Sequence, residues 1–427
     1  MEPTSTPLIS DTKAVDLYIG QHALIKHLAD GYEYWDKIKF KKLPVDASPQ
    51  TVWAAVKLAR RTTLQEIRLG GNLFKYNVPH DLQRQLHEFD LHLGGHLGSQ
   101  GQVSDEDRQR YLISSIMEEA IASSQIEGAV TTREVAKEML RQQRPPRDPS
   151  ERMVTNNYHT IQHIVERQHE PLTVEGLLQI HRLITEGTLE DPLDAGRLRT
   201  RQVNVVDTSR SEVVHVPPAH TELPTLIDAF VAFFNRRDEE PFMHPVVKAC
   251  VLHFLLGWIH PFADGNGRTG RALFYWFLLS RGYWLTQYLS ISRLIVKTKR
   301  QYERAFLCSE MDEDDMTYFL KYKLKTMTLA YQELKRYIDR KANEKRALTR
   351  YFRHGINERQ ALILKWLDDD PDALFTVKEI ETRFVVANQT ARNDLRELTR
   401  RGFLRAVPVN QKKKMYGRSL HFERLLT

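Results

Sequence analysis

The stretch HPFADGNGRTGR, residues 260–271, gathers an imidazole, a carboxylate, three glycines and two guanidinium groups into one short segment. The segment before it, from Val246 to Ile259, carries apolar residues at the spacing of a buried helix. The segment after it, from Thr269 to Leu279, is again apolar and long enough for a helix. The sequence therefore predicts a polar loop between two buried helices, and core packing does not explain the polar cluster.

The loop has the features of an anion site. Gly265 and Gly267 allow backbone geometries that other residues avoid, and they let a ligand approach the chain closely. The free backbone N–H groups at the start of the following helix, together with the helix dipole, attract negative charge. Arg268 and Arg271 lie three positions apart on the first turn of that helix, where each can add a forked contact to phosphate oxygens.

Two further side chains in the loop suit catalysis. Asp264 is a hard oxygen ligand beside this phosphate cradle, where one carboxylate together with phosphates would hold Mg²⁺. His260 can accept a proton near neutral pH. These residues indicate phosphoryl or nucleotidyl transfer from a nucleoside triphosphate to a hydroxyl. A glycine-rich turn with exposed charges is the competing interpretation, and it leaves the combination of groups unexplained.

Residues 260–271 resemble the signature of the Fic family at every motif position. That signature is histidine-proline-phenylalanine, any residue, aspartate or glutamate, glycine-asparagine-glycine-arginine, and arginine three positions later. The resemblance implies a mainly α-helical core and transfer of AMP from ATP to a Ser, Thr or Tyr hydroxyl of a protein. It makes His260 the base for the incoming hydroxyl, Asp264 the ligand of Mg²⁺ (or Mn²⁺), and Phe262 the anchor of the loop in the core.

The same resemblance assigns the phosphates. Asn266 and the amides around the two loop glycines would hold the α-phosphate, Arg268 the β-phosphate and Arg271 the γ-phosphate. Relatives commonly have an aromatic residue near the adenine at the position of Tyr302, and they often have an asparagine on the base where this chain has Ser309. The predicted nucleotide-binding residues are Asp264, Gly265, Asn266, Gly267, Arg268, Gly270, Arg271 and Tyr302.

A helix predicted at residues 104–128 ends in the sequence SSQIEG. Helical spacing places Ser123 and Glu127 on one face, and Gly128 suits a helix C-cap. By itself, a glutamate at a helix end is usually a solvated residue. The run nevertheless resembles the inhibitory helix of Fic proteins, which reads serine or threonine, three residues, glutamate, then glycine or asparagine. This implies that Glu127 pairs with Arg271; in relatives the same glutamate can instead orient a water for AMP removal.

Two short β-branched runs, Val203 to Val206 and Val213 to Val216, flank a turn-rich segment and predict a hairpin. The hairpin could be an ordinary surface feature. The Fic resemblance implies instead a flap beside the active site, which would bind a target segment as an added strand and present its hydroxyl. The residues predicted to contact the target are Val213, Val214, His215 and Val216.

The C-terminal segment, residues 356–427, predicts three helices followed by two short strands, an order that resembles a winged helix-turn-helix domain. From Arg401 to Thr427 there are seven Lys or Arg residues against one Glu, which favours an acidic partner such as nucleic acid. Winged helices also bind proteins, so both kinds of partner stay open. The predicted DNA-binding residues are Gln389, Arg392, Asn393, Arg396, Lys412, Lys413 and Lys414.

The length of 427 residues predicts two or three domains. We expect a helical N-terminal region at residues 1–100, a Fic core at 101–330, a linker helix at 331–355 and the winged-helix domain at 356–427. The two cysteines, Cys250 and Cys308, are expected to be buried free thiols. No apolar stretch reaches membrane-spanning length and residues 1–11 lack a secretory pattern, so we expect a cytoplasmic protein without membrane contact.

Two classes of function remain open. The first is an ATP-dependent protein adenylyltransferase, autoinhibited by Glu127, that modifies hydroxyls of target proteins and of itself. The second is a DNA-binding transcriptional regulator whose Fic core senses nucleotide. The presence of His260 favours the enzyme, because a sensor needs the phosphate cradle but no base. A homodimer is left open by the sequence.

Overall fold

The computed structural model describes residues 3, 6–7, 12–42, 46–94, 105–207, 211–236, 241–352, 355–384, 386–408 and 414–426. It divides into two compact units, Met1–Leu334 and Lys335–Thr427. The predicted DNA contacts at Lys412 and Lys413, and the predicted start of the 104–128 helix, lie outside the described residues. Cys250 and Cys308 are buried free thiols, as predicted.

Unit 1 is mostly helical, which confirms the predicted mainly α class. Among the described residues its helices are α1 (Lys13–Gly20), α2 (His22–Gly31), α3 (Trp35–Ile38), α4 (Pro49–Arg61), α5 (His80–Phe89), α6 (Asp105–Ile126), α7 (Arg133–Gln142), α8 (Pro149–Glu166), α9 (Val174–Thr185), α10 (Leu223–Asn235), α11 (Pro245–Ile259), α12 (Asn266–Ser280), α13 (Ile291–Lys297), α14 (Lys299–Met311) and α15 (Thr317–Phe352). Helix α15 runs past the boundary into unit 2. None of the described helices combines the length and apolar character needed to cross a bilayer.

Two antiparallel hairpins interrupt the helices of unit 1. Strands β1 (Gln65–Leu69) and β2 (Asn72–Tyr76) pair across Gly70 and Gly71, which both have positive φ. This hairpin was not predicted from the sequence. Strands β3 (Val205–Asp207) and β4 (Glu212–His215) form the second hairpin, which was predicted at residues 203–206 and 213–216. The observed β3 is one residue shorter, and β4 has the predicted length but begins one residue earlier.

Helices α11 and α12 form the centre of unit 1 and fix the loop between them. In α11 every residue is buried except Pro245, Gly257 and Trp258, and α12 is buried from Arg268 to Leu279. Helix α12 packs on α11, α8, α9 and α6. Since both helices are enclosed on all sides, the polar loop joining them is held by a rigid frame.

A buried ionic network attaches α4 to the chain just before α15. Lys57 Nζ lies 2.8 Å from Asp312 Oδ1, and both side chains are 2% exposed. Arg60 donates to the hydroxyl of Tyr318, which in turn donates to the other oxygen of Asp312. Buried charges need such partners because an unpaired one is costly to desolvate. The N-terminal helices are therefore bonded to the same unit as the loop.

Unit 2 contains, after the end of α15, helix α16 (Glu358–Asp369), strand β5 (Leu374–Phe375), α17 (Val377–Phe384), α18 (Asn388–Arg400), strands β6 (Leu404–Pro408) and β7 (Lys414–Arg418), and α19 (Phe422–Leu426). The strands form an antiparallel sheet in the order β5-β7-β6. The sequence analysis predicted the three helices α16 to α18 and the last two strands, but not β5 or α19. A single apolar core that includes Ile363, Leu364 and Leu395 joins the helices to the sheet.

Candidate active site

The loop of residues 260–265 is shaped by its own polar side chains. His260 caps α11 in the left-handed region, at φ 47°, which a residue with a Cβ adopts only when its surroundings enforce it. Asn266 accepts a hydrogen bond from the amide of Phe262 and donates one to its carbonyl, at 3.0 and 2.9 Å. Phe262 is fully buried, so the ring anchors the loop. The Asn266 side chain is engaged with the backbone, and its predicted role as an α-phosphate ligand stays a prediction.

His181 is a part of the site that the sequence analysis missed. Its ring stacks on Phe262 at 3.8 Å between centroids. Because the amide of Gly196 donates to Nδ1, Nε2 carries the hydrogen and donates to the carbonyl of Asp264, at 2.9 Å. Burial lowers the pKa of His181 to about 4, so the ring is neutral and supports the loop from beneath. His181 stands in no sequence motif, and only the fold brings it to the loop.

Arg199 is the second residue that was missed. Its backbone amide donates to the carbonyl of Pro261, and its Nε donates to the carbonyl of His260 at 2.9 Å. The same guanidinium donates to the carbonyl of Pro218 at 2.6 Å. This arginine therefore joins the segment after β4 to the loop at its histidine. The lone arginine stands in no sequence motif that would have revealed this role.

His260 is arranged as a neutral base. Its Nδ1 lies 3.3 Å from the carbonyl of Gly257, so Nδ1 carries the hydrogen and Nε2 keeps a free lone pair. Burial lowers the pKa of His260 to about 4, and the nearby positive groups at His215 and Arg199 act in the same direction. The ring is therefore unprotonated throughout the neutral pH range, which is the form that a general base requires.

Two buried arginines lie on the first two turns of α12. Arg268 donates to the carbonyl of Ile184 and to Asp264 Oδ2, both at 3.3 Å. Arg271 donates through Nε to Ser123 Oγ at 2.9 Å and through Nη2 to the carbonyl of Ser123 at 3.0 Å. Within the described ranges, no partner is found for Arg268 Nε or Arg271 Nη1. Buried donors of this kind indicate a missing acceptor, and phosphate oxygens suit them.

Glu127 lies directly after α6, and the structure brings it to the loop as predicted. Its Oε1 is 2.8 Å from Arg271 Nη2, with Glu127 27% exposed and Arg271 3% exposed. Burial opposes ionisation of Glu127, but the charges of Arg271, Arg268 and Lys299 hold the pKa of its carboxyl below the usual value. A Cβ at Gly267 would lie 2.3 Å from Glu127 Oε1, so only glycine at 267 leaves room for this contact. Gly128 follows at φ 96°, as a C-cap requires.

Further contacts hold the end of α6 in place. Lys299 Nζ donates to the carbonyl of Ile126 at 2.9 Å, and Asn157 donates to Ser124 Oγ at 2.7 Å. Glu119, on the same helix, is fully buried and accepts from the amide and the hydroxyl of Ser292. Polar contacts with three other helices therefore fix the position from which Glu127 reaches Arg271.

Tyr302 is buried beneath Arg271. Its hydroxyl lies 2.9 Å from His253 Nε2, and its ring packs against Phe306 and Phe319. Burial raises the pKa of Tyr302, and that of His253 is lowered well below its usual value, also by burial. The positive charge of Arg271 opposes this rise in the pKa of Tyr302, so the two side chains lie close together. The predicted contact of Tyr302 with adenine stays a prediction.

The hairpin β3–β4 exposes only part of the predicted target edge. Val213 and Val216 are exposed, at 52% and 65%, and Val214 is half-buried. His215 instead turns toward the core, where its ring nitrogens contact Glu310 and the carbonyl of Trp258. The side chain of His215 is therefore occupied, and the remaining three residues form the accessible edge.

Asp264 fits the expected metal ligand. Its carboxylate is 59% exposed, and its oxygens accept hydrogen bonds from Arg268 and from the amide of Gly265, which leaves further lone pairs on both. Over the described part of the chain, no group of three or more His, Cys, Asp or Glu side chains could hold a metal. A site completed by phosphate oxygens is the arrangement that Mg²⁺ favours.

Part of this chain is similar to known proteins. Residues 171–278 match the model of the Fic/DOC family. The matched segment includes α9, the hairpin β3–β4, α11 and the loop, but not Glu127.

Individual relatives match about a quarter of the chain. Protein adenylyltransferase Fic of Nematostella vectensis is 39% identical over 114 residues, which cover 27% of this chain and 24% of that protein. The protein of the same name from Culex quinquefasciatus is 38% identical over 112 residues, 26% of this chain and 20% of that protein. The chain therefore spans about a quarter or less of the curated relatives it matches.

Solved structures extend the likeness in fold beyond that segment. A Fic family protein from Desulfovibrio desulfuricans aligns with a TM-score of 0.54 and 20% identity, over 80% of this chain and 95% of that one. A fragment of Fic-1 from C. elegans aligns with a TM-score of 0.52 and 18% identity, over 76% and 86%. The chain therefore shares the helical fold of these Fic proteins.

Proposed function

We propose that this chain is a protein adenylyltransferase that transfers AMP from ATP to Ser, Thr or Tyr hydroxyls of target proteins and of itself. The observation that carries the proposal is the loop, where neutral His260 lies at one end and two buried guanidinium groups with unused donors lie at the other. Support also comes from the match of residues 171–278 to the Fic/DOC family and from the similarity to curated relatives named protein adenylyltransferase Fic.

In the proposed reaction, His260 Nε2 takes the proton of the target hydroxyl as its oxygen attacks the α-phosphorus. The new oxygen–phosphorus bond forms as the bond from the α-phosphorus to the bridging oxygen of the β-phosphate breaks. Pyrophosphate leaves with the bonding electron pair, and His260 passes its proton to solvent. The amides at the start of α12 hold the α-phosphate, Arg268 the β-phosphate and Arg271 the γ-phosphate.

Asp264 would hold Mg²⁺ or Mn²⁺ together with phosphate oxygens, and the bound ion would neutralise the charge that develops on pyrophosphate. The role of the protein is to place one exposed carboxylate beside the cradle. Arg268 fixes the orientation of that carboxylate through its contact with Oδ2.

Glu127 holds this enzyme in an inhibited state in the same proposal. Its carboxylate binds the Arg271 guanidinium in place of the γ-phosphate. While the ion pair of Glu127 and Arg271 is intact, ATP therefore binds in an unproductive pose. The three contacts that fix α6 keep the carboxylate in place. With an AMP-modified target bound, the same carboxylate would orient a water for removal of AMP. Glu127 would then act in both reactions, the addition of AMP and its removal.

The test is self-modification of the full chain with radiolabelled ATP and Mg²⁺. We expect Glu127→Gly to raise labelling well above wild type, and His260→Ala added to it to abolish labelling. Glu186→Gly is a matched control, because Glu186 also follows a helix end and is exposed. Labelling of the double variant Glu127→Gly, His260→Ala at the level of Glu127→Gly would contradict the assignment of the base.

For unit 2 we propose a winged helix-turn-helix domain that binds duplex DNA. Support comes from the order of its elements and from α18, where Gln389, Arg392, Asn393 and Arg396 are all exposed at helical spacing on one face. Lys414, at the start of β7, is exposed as well. Such side chains contact base edges and phosphates when a helix enters the major groove.

DNA binding by unit 2 is also what the alternative function requires, namely a DNA-binding regulator whose core senses nucleotide. Binding to a labelled duplex would be measured against salt concentration. Alanine at both Arg392 and Arg396 should weaken binding and reduce the salt slope by about 1 for each phosphate that the protein no longer neutralises. Lys365→Ala, on α16, should leave the slope unchanged. A slope that is unaffected by the double change would remove the DNA assignment and leave a protein partner.

A further inference from the structure

His215, the last residue of β4, contacts an acceptor with each ring nitrogen. Nδ1 lies 2.9 Å from Glu310 Oε2, and Nε2 lies 2.8 Å from the carbonyl oxygen of Trp258. A neutral imidazole has a single N–H, so it can donate only one of these two bonds. The side chains of His215 and Glu310 are 10% and 17% exposed, so water has little access to replace the missing bond.

The two bonds join three elements of unit 1. Glu310 belongs to α14, and Trp258 lies in the last turn of α11, two residues before His260. Arg199 makes a parallel connection from the carbonyl of Pro218 to that of His260. His215 thus attaches the end of β4 to α11 and α14, and Arg199 attaches the segment after β4 to the catalytic loop at His260.

We propose that His215 is a positioning residue whose imidazolium form clamps the hairpin β3–β4 onto α11 and α14, and that loss of its proton releases the hairpin. The clamp follows from the geometry alone. Its consequence for catalysis rests on the proposed function, because there the hairpin edge holds the target segment in line with His260. The clamp would then decide whether the target hydroxyl is presented to the base.

Charged groups on each packed element set the pH range of the clamp. Burial opposes the cation, but the hydrogen bond and charge of Glu310, with a contribution from Asp314, raise the pKa of His215 above its usual value. Asp314 itself has a pKa raised to about 6 by burial and by Glu310, and Lys75 of β2 faces it. From the loop, His260 is neutral above about pH 4.

These pKa shifts make the clamp strongest at low pH. Because the pKa of His215 is raised in the folded state, the clamp is complete at and below its usual pKa and is lost as pH rises through the raised value. His260 requires the opposite condition, since it works as a base only above about pH 4. The rate should therefore rise near the pKa of His260 and fall again when His215 loses its proton.

The direct test is an NMR titration of the full chain carrying ¹³C-labelled histidine, with the His215 signal identified by its loss in His215→Gln. We expect a titration midpoint above the usual histidine value of about 6.5. Glu310→Gln should move the midpoint to lower pH, and Glu303→Gln, a carboxylate change elsewhere on α14, should leave it in place. A His215 midpoint at or below the usual value, or one that Glu310→Gln leaves unchanged, would overturn the proposal.

Hydrogen exchange then reports the hairpin itself. After correction for the intrinsic pH dependence, amide exchange in β3 and β4 should become about tenfold faster once His215 loses its proton, as expected when one hydrogen bond to a charged group is broken. His215→Gln should show the faster exchange at every pH. Unchanged exchange in that variant would exclude a clamp.

The catalytic consequence is measured separately, by self-labelling in the Glu127→Gly background across pH. Glu310→Gln should shift the alkaline decline to lower pH, whereas Glu303→Gln should not. If Glu127→Gly gives no labelling at all, the proposed function fails while the titration and exchange results still decide the clamp. If labelling occurs and Glu310→Gln leaves the pH of its alkaline decline unchanged, the clamp does not control catalysis.

Discussion

Replacing Glu127 by Gln should strengthen the binding of ATP and leave the binding of ADP unchanged. Glutamine keeps the size of the side chain and removes its charge. In the proposed function only the γ-phosphate competes with Glu127 for Arg271, and ADP has no γ-phosphate. The measurement is made in a His260→Ala background, so that no turnover disturbs it.

The size of the effect follows from the burial of the pair. Arg271 is 3% exposed and Glu127 is 27% exposed, with 2.8 Å between their charged atoms. Losing one partner of a fully buried ion pair costs about 3–5 kcal/mol. Because water reaches part of Glu127, we expect about 2–3 kcal/mol for this pair. That amount corresponds to an affinity for ATP that is about 30- to 150-fold higher.

Isothermal titration calorimetry with ATP and with ADP, both in Mg²⁺, measures the difference. ADP is the matched ligand, and Glu186→Gln is the matched variant, since its carboxylate is exposed after another helix. An equal gain for ATP and ADP, or no gain for ATP, would refute the competition between Glu127 and the γ-phosphate.

Three further changes test the packing of the site, each by urea denaturation. Gly267→Ala places a methyl group 2.3 Å from Glu127 Oε1. It should lower the free energy of unfolding by about 2–3 kcal/mol in wild type and by clearly less in Glu127→Gly. An equal loss in both backgrounds would mean that the methyl group does not clash with Glu127. Because the pKa of His181 is depressed to about 4, its contribution is full above about pH 6.5 and is lost as pH falls toward 4. His181→Gln should therefore remove about 3 kcal/mol of acid destabilisation between pH 6.5 and pH 4, and an unchanged pH dependence would exclude His181 as its source. Tyr302→Phe removes the partner of His253 Nε2 and should lower the free energy of unfolding by about 1–2 kcal/mol; no loss would show that this hydroxyl bond contributes nothing.

Local patterns predicted much of the fold. Apolar spacing located α11 and α12 around the loop, and β-branched runs located the hairpin β3–β4. The hairpin at Gly70 and Gly71 was missed although β1 and β2 are five residues each, because their sequences, QEIRL and NLFKY, contain a single β-branched residue. Strand β5 has two residues, too few for a periodic signal, and its pairing with β7 defines it.

The candidate site likewise contains residues that the sequence could identify and residues that it could not. The residues of the loop itself could be read as a phosphate cradle because they are contiguous in sequence. The pairing of Glu127 with Arg271 came from the family resemblance, since by itself a helix-end glutamate carries no such information. His181 and Arg199 belong to no motif, and they contact the loop from 83 and 61 residues away.

The sequence by itself determined the chemistry available at residues 260–271, because backbone freedom, charge and proton affinity are properties of the residues in their order along the chain. Tertiary structure alone decided that the ring of His181 supports Phe262, that a buried guanidinium at Arg271 keeps an unused donor, and that both nitrogens of His215 face acceptors. Burial and long-range contact set these properties, and they arise only when helices distant in sequence pack together and exclude water.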